Sequence, residues 1–141
     1  MKRKRRTEIL INGSKKLAAA MANEILENYI ASMMEEPNDG LVMVKVRESA
    51  KKSLFYIGEV FVTECKVSIH DSLGIGVVTG HEKELAYQLA VIDAAYTAGL
   101  KETESWEKLL LQEEKKIAMD RADKLKQVLN TKVSFETMDT E

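Results

Sequence analysis

Cys65, His70, Asp71 and His81 are the side chains whose types could gather around a metal ion or support a nucleophile. Either chemistry needs them within direct reach of one another. His70 and His81 bracket the apolar run from Leu73 to Gly80. If that run is extended, at about 3.3 Å per residue, the two imidazoles stand about 30 Å apart. An intrachain metal site is therefore not expected, although either histidine could add one ligand to a site between subunits. Cys65 with a histidine base would make a nucleophile pair, but it falls on the apolar side of an alternating run, where cysteine acts as a small hydrophobe. Ser68 and Ser72 have no plausible histidine and acid beside them.

The pattern Gly74-x-Gly76-x-x-x-Gly80, with a helical period after it, suggests an anion held on helix N–H groups, with Gly80 and His81 as the contact points. Its spacing is neither a dinucleotide fingerprint nor a P-loop, and no Lys-Ser or Lys-Thr follows. Glycine inside a strand leaves nothing to pack and invites a close approach. Strand glycines that admit another chain are the preferred reading.

These residues are positioned by a long alternating run. Phe55, Ile57, Phe61, Cys65, Val67 and Ile69 occupy odd positions and Tyr56, Gly58, Glu64, Lys66, Ser68 and His70 even ones, the period of a half-buried strand. A three-residue loop centred on Asp71 would pair Ile69 with Leu73, Val67 with Ile75 and Cys65 with Val77, keeping apolar groups on one face. That register sets Gly74 and Gly76 opposite Ser68 and Lys66 on the outer face. Together with Val60, Val62 and Val78 they form the expected contact surface for a partner. Beyond Gly80 the period becomes helical, with Leu85, Leu89, Ile92 and Tyr96 on one stripe, and this helix should cover the sheet.

Upstream, residues 1–6 are a basic run read as a solvated, mobile end. Thr7 to Ile11 should make a helical turn stopped at Asn12-Gly13, and Ser14 caps a helix from Lys15 to about Met34. Glu35-Glu36-Pro37-Asn38-Asp39-Gly40 should end that helix as a loop before a strand from Leu41 to Arg47. Downstream, Gly99 stops the covering helix, and a charged helix runs from near Thr103 to Asn130 on a Leu111, Ala118, Ala122, Leu125 and Leu129 stripe. Val133 to Met138 should be a short strand or an extended arm. The expected fold is α+β: an antiparallel sheet of three to four strands with helices on one face, an N-terminal helix, and a C-terminal helix plus short strand, all in one domain.

Bulk properties narrow the function classes. A net charge of -2, with 45% hydrophobic and 31% charged residues, suits a soluble protein and supplies no general attraction for nucleic acid. The single cysteine excludes an internal disulfide and a cysteine-paired zinc motif, which fits a reducing cytoplasm. No apolar run approaches the ~20 residues that cross a bilayer, so no membrane partner is expected.

The order G-E-V-F-V-T-E-C from Gly58 to Cys65, G-I-G-V-V-T-G from Gly74 to Gly80, and A-V-I-D-A-A from Ala90 to Ala95 resembles the PhnG family of the bacterial phosphonate carbon–phosphorus lyase system. Val133 to Met138 resembles its closing segment, with Glu136 where an aromatic residue is expected, so the likeness runs over residues 55–138. The resemblance implies an accessory subunit that assembles with the H, I, J and L types, the I type being its direct partner and the catalytic nucleosidase. Those proteins are associated with making ribose 1-phosphonate 5-triphosphate, a transferase step in which a phosphonate displaces adenine from MgATP at the ribose C1 carbon. MgATP would then be a substrate of the assembly, with no cofactor held by this chain alone and no catalytic residue in it. Asp93 is the carboxylate the resemblance singles out. It is either a base or substrate contact, or, as preferred, a carboxylate bonded to loop N–H groups or to an arginine of a neighbouring subunit. The alternative is a free-standing anion- or nucleotide-binding protein.

Overall fold

A computed structural model describes residues 1–47, 50 and 54–139. The elements in order are α1 (Arg3–Asn12), α2 (Lys15–Asn28), β1 (Ser32–Arg47), β2 (Leu54–Ile69), β3 (Ser72–Thr79), α3 (Lys83–Ala98) and α4 (Glu102–Asp139). The strands form one antiparallel sheet in the order β1-β2-β3. Helix α3 lies across β3 and the neighbouring part of β2, α2 packs along α3, and α1 contacts α4. The sheet is thus helix-backed on one side, as its α+β patterning led us to expect.

The β2–β3 register differs from the expected one, and the reason is steric. The loop has two residues, His70 and Asp71, both at positive φ (49° and 62°), as a primed hairpin turn requires. Val67 therefore pairs with Gly74, Cys65 with Gly76 and Thr63 with Val78. The glycines face inward because α3 rests on them. A Cβ on Gly74 would stand 2.1 Å from the Ala90 carbonyl oxygen, and one on Gly76 2.0 Å from that of Ala86. Leu73, Ile75 and Val77 are turned outward instead, at 45%, 39% and 41% exposure. The close visitor that the glycines admit is the chain's own helix.

Three further expectations change. Helix α2 stops at Asn28, with Tyr29 extended as its C-cap, and residues 32–40 join β1. The length of β2 decides this, because it offers pairing partners as far as Ser32 with Ser68 and Met33 with Val67. Pro37 is accommodated because β1 is an edge strand with register shifts between Met33 and Glu35 and between Glu35 and Asn38. At the other end α4 continues through residues 133–139 where a strand was expected. No described strand pairs with that segment, and a helix satisfies its own backbone groups. The basic start is also no loose end: Arg3, Arg5 and Arg6 lie in α1, and Arg6 is buried.

The expected C-cap at Gly99 is present, at φ 68°, with the Leu100 N–H donating to the Ala95 carbonyl. Trp106 and Leu110 anchor α4 in the core, and the Trp106 indole N–H donates to the Glu24 carboxylate of α2 at 2.9 Å. Arg5 makes two bonds to Glu114 on α4 and holds its carboxyl below the usual range. Every residue from Ala118 to Lys132 is exposed, so the far half of this helix projects from the body.

Candidate functional site

Asp93 sits on α3 at 5% exposure, and α1 supplies its charge partners. Arg3 Nε donates to Oδ1 at 2.9 Å and a second Arg3 nitrogen to Oδ2 at 3.0 Å. An Arg6 nitrogen donates to Oδ1 at 2.7 Å, and the Ile75 backbone N–H to Oδ2 at 3.0 Å. Four donors occupy the roughly four lone-pair directions of a carboxylate, so this group has no acceptor site left to take a proton from a substrate. Through these bonds it ties α1 and α3 to β3. The arginines come from this chain rather than from a neighbour, and their i, i+3 spacing on α1 was the available signal, hidden by reading residues 1–6 as a solvated end.

The Ile75 N–H belongs to the outer edge of β3, an eight-residue strand with neither charge nor proline. Such an edge is a template for unwanted pairing. Asp93, neutralised by two guanidiniums, caps it at its middle.

Tyr96 packs beside this cluster, with the Arg6 guanidinium carbon 4.1 Å from its ring centroid and Trp106 edge-on at 5.7 Å. Its hydroxyl is buried with no hydrogen-bond partner among the described residues, and burial pushes its pKa up. An unpaired buried hydroxyl destabilises. Tyr96→Phe should therefore raise unfolding stability by about 1 kcal/mol, read as a shift of the urea midpoint at constant slope; a loss of stability would show that the hydroxyl is satisfied.

Gly80 and His81 are placed as strand-end groups. The Gly80 N–H donates to the Phe61 carbonyl at 2.8 Å, and the Gly80 carbonyl accepts from Thr63 Oγ1 at 2.5 Å, so this amide is already used. His81 lies 4.5 Å from the Phe61 ring, with Nδ1 3.2 Å from Asp39 Oδ2. Beside them the N-termini of α2 and α3 open onto a groove of about 430 Å³ that includes Lys15, Lys16 and Lys83. Glu82 and Glu84 share its lining, and Lys15 already pairs with Glu82. The groove is only weakly basic.

Cys65 is fully buried on the helix side of β2, and its thiol donates to the Glu35 carbonyl at 3.4 Å. Burial first, and then the Glu35 carboxylate, push its pKa up. The thiol form persists at neutral pH, which makes it a poor nucleophile. In the native chain its alkylation should run at least about 100-fold slower than in denaturant, because reaction must await opening. Equal rates would place the sulfur at the surface. The raised pKa also means that its contribution to stability is complete below the ordinary thiol range and is lost as pH rises through the folded value.

The residues expected to share one partner-facing surface are divided by the observed register. Gly74, Gly76 and Val78 lie beneath α3, whereas Val60 and Val62 point to the opposite face, where Val62 is nonetheless buried. The face without helices presents Leu73, Ile75, Val77 and Val42, interleaved with Ser68 and with Lys66, which pairs with Glu35 and Glu64. Beyond the reach of α3 the β1–β2 ribbon is apolar on its other side too, with Leu41, Met43 and Ile57 at 61%, 57% and 57% exposure. The chain exposes 9919 Å² in all. A compact protein of 15.9 kDa exposes about 7,350 Å². The surplus of about 2,600 Å² is more than one partner contributes to a standard interface.

A helix-backed antiparallel sheet with a ribbon extending past its helices and a projecting C-terminal helix defines an α+β architecture. The chain belongs to the PhnG family: the family model described as phosphonate metabolism protein PhnG matches residues 1–139. No curated protein matches the chain significantly. Membership places it in phosphonate metabolism, as a component of a multi-subunit complex. Among the described residues no three His, Cys, Asp or Glu side chains converge as a metal site would require, and no helix is long and apolar enough to cross a membrane.

Proposed function

We propose that this chain is an accessory, non-catalytic subunit of the carbon–phosphorus lyase complex. It supports synthesis of ribose 1-phosphonate 5-triphosphate from MgATP and an alkylphosphonate, with adenine displaced, in the cytoplasm. The observation that carries this reading is the set of large apolar side chains left exposed on the helix-free face, Leu73, Ile75, Val77 and Val42, because exposed apolar clusters with polar neighbours mark binding sites. The chemistry points the same way. Displacing adenine needs a positioned nucleophile, a proton for the departing base and cations on a triphosphate. Here Arg3, Arg5 and Arg6 are committed to Asp93 and Glu114, and on this reading partners supply the nucleophile, the proton donor and the triphosphate clamp. The I type is the direct partner and the H, J and L types complete the assembly.

Coexpression with the other lyase subunits tests this. The chain should copurify with the I-type subunit, and the purified chain alone should not turn over MgATP and methylphosphonate. Ile75→Glu, on the bare face, should weaken assembly by at least about 30-fold while leaving the melting temperature of the chain within a few degrees. Sustained turnover by the single chain, or its exclusion from the complex, would falsify the reading. The groove beside His81 favours a second reading, a free-standing anion- or nucleotide-binding protein. Calorimetric titration of ATP into the isolated chain separates the two, because only this second reading expects heat.

A further inference from the structure

We propose that the exposed half of α4 is a docking surface for an acidic amphipathic helix of a different protein, which lies along α4 in line with α1. The packing of the first half of α4 sets that line. Trp106 and Leu110 are buried in the body, Glu113 accepts the Ser14 N–H, and Ile117 packs against the core. Their intervals of four, three and four residues mark one face of the helix. Continued at 3.6 residues per turn, that face passes Arg121, Lys124 and Val128, and then Thr131 with Lys132. Helix α1 ends at Asn12, and from Ala118 to Lys132 every residue is exposed. Two hollows open along this face. One, of about 410 Å³, is shared by the α1–α2 turn with Ile117, Arg121 and Lys124; the other, of about 780 Å³, runs along Lys124, Gln127, Val128, Thr131 and Lys132. A helical segment of this length without tertiary packing is marginal in water, and a second helix laid in these hollows supplies the packing.

Charge and shape decide the occupant. Where α1 meets α4 the cation is on α1 and the carboxylate on α4, in the pair of Arg5 with Glu114. Past Ile117 the sign reverses: residues 102–114 hold five glutamates against one lysine, and residues 115–132 six lysines and arginines against two aspartates. Arg121, Lys124 and Lys132 on the inward face make no ion pair among the described residues, while Asp120 lies at its margin and Asp123 on the outer side. The occupant therefore presents carboxylates. Val128, with Leu125 and Leu129 beside it at 60% and 51% exposure, calls for apolar side chains among them. A phosphate backbone has none, and the chain's net charge of -2 repels a polyanion. A flat membrane cannot enter the corner between α4 and the α1–α2 turn, whereas a helix is about 10 Å wide and satisfies its own backbone groups. This chain has no spare helix of that kind, since α1, α2 and α3 are packed in its body and Glu102, Glu113 and Glu114 of α4 are bonded to Tyr29, Ser14 and Arg5. The inference deepens the accessory-subunit reading and rests on it for which proteins supply the helix, but the surface lies apart from the helix-free sheet face.

The test is calorimetric titration of the full chain with a synthetic peptide of about three heptads, carrying leucine at the a and d positions and glutamate at e and g. The expected result is binding that weakens as salt rises, and none by the same peptide with lysine for glutamate. Arg121→Glu combined with Lys124→Glu should weaken the acidic peptide at least about 30-fold and confer binding of the basic one. Both residues are exposed, so the body of that variant should melt as before. A single-stranded RNA and phosphatidylserine vesicles should bind no better to the chain than to the variant. In the complex assembled by coexpression, zero-length carbodiimide coupling should join Lys124 or Lys132 to a carboxylate in a helix of another subunit. No binding of the acidic peptide, binding indifferent to the double reversal, tighter binding of the RNA or the vesicles than of the peptide, or lysines that couple only within this chain or to another copy of it would each overturn the proposal. If the wild-type chain is excluded from the complex, the accessory-subunit reading fails and the peptide titration alone decides this one.

Discussion

Gly76→Ala should destabilise the chain by about 3 to 5 kcal/mol, although it adds one methyl group. Overpacking usually costs less because a side chain can move aside. Here the added Cβ would stand 2.0 Å from the Ala86 carbonyl oxygen and 2.7 Å from the Ala90 nitrogen, and both are backbone atoms in the middle of α3. Relief requires lifting α3 from β3, which opens the contact that buries Ala86, Ala90, Ala94, Val67 and Cys65. Against a typical total of 5 to 15 kcal/mol, much of the folded population is at stake. The control lies in the same sheet. A Cβ on Gly58 would meet nothing within 4 Å, and its φ is not positive, so Gly58→Ala should be neutral within about 0.5 kcal/mol. Urea unfolding of both variants is the measurement, and equal stabilities would show that α3 does not rest on the glycines.

Asp93→Asn should have an effect of similar size, about 3 to 5 kcal/mol, because it leaves two guanidiniums facing a neutral group and one of them, on Arg6, is buried. Arg3 is 62% exposed and can turn to water; Arg6 is 8% exposed and cannot. The asymmetry gives a sharper test than the single variant. Combining Asp93→Asn with Arg6→Met should cost less than the two changes summed, whereas combination with Arg3→Met should recover much less. A second readout follows from the edge of β3. Losing the carboxylate frees the Ile75 N–H in an uncharged strand, so the variant should aggregate with strand-rich character. Additive double variants that stay soluble would remove Asp93 from both roles.

Together these two sites describe how the module protects itself while leaving a face open. The edge of β3 is capped by Asp93, and β1 carries Pro37 and register shifts along its own edge. The outer face carries only the Lys66 pairs with Glu35 and Glu64 among its exposed apolar side chains. Association through side chains of that face is therefore permitted where backbone pairing at the edges is hindered.

Much of the architecture was legible from local pattern. Alternation marked β2 and β3, the shift to a helical period after Gly80 marked α3, and Gly99 marked its end. Each of these signals depends on near neighbours in the chain and on the conformations its own residues allow. Tertiary structure decided what faces what. Alternation states that Gly74, Gly76 and Val78 share one face of β3 but not which face a helix will cover. The covering distance of α3 chose the glycine face and turned Leu73, Ile75 and Val77 outward. Likewise, the i, i+3 spacing of Arg3 and Arg6 can mark a shared helix face, but it does not name the carboxylate ninety and eighty-seven residues away that they meet. Burial of a charge is favourable only beside its partner, and that partner is brought there by the packing of α1 against α3.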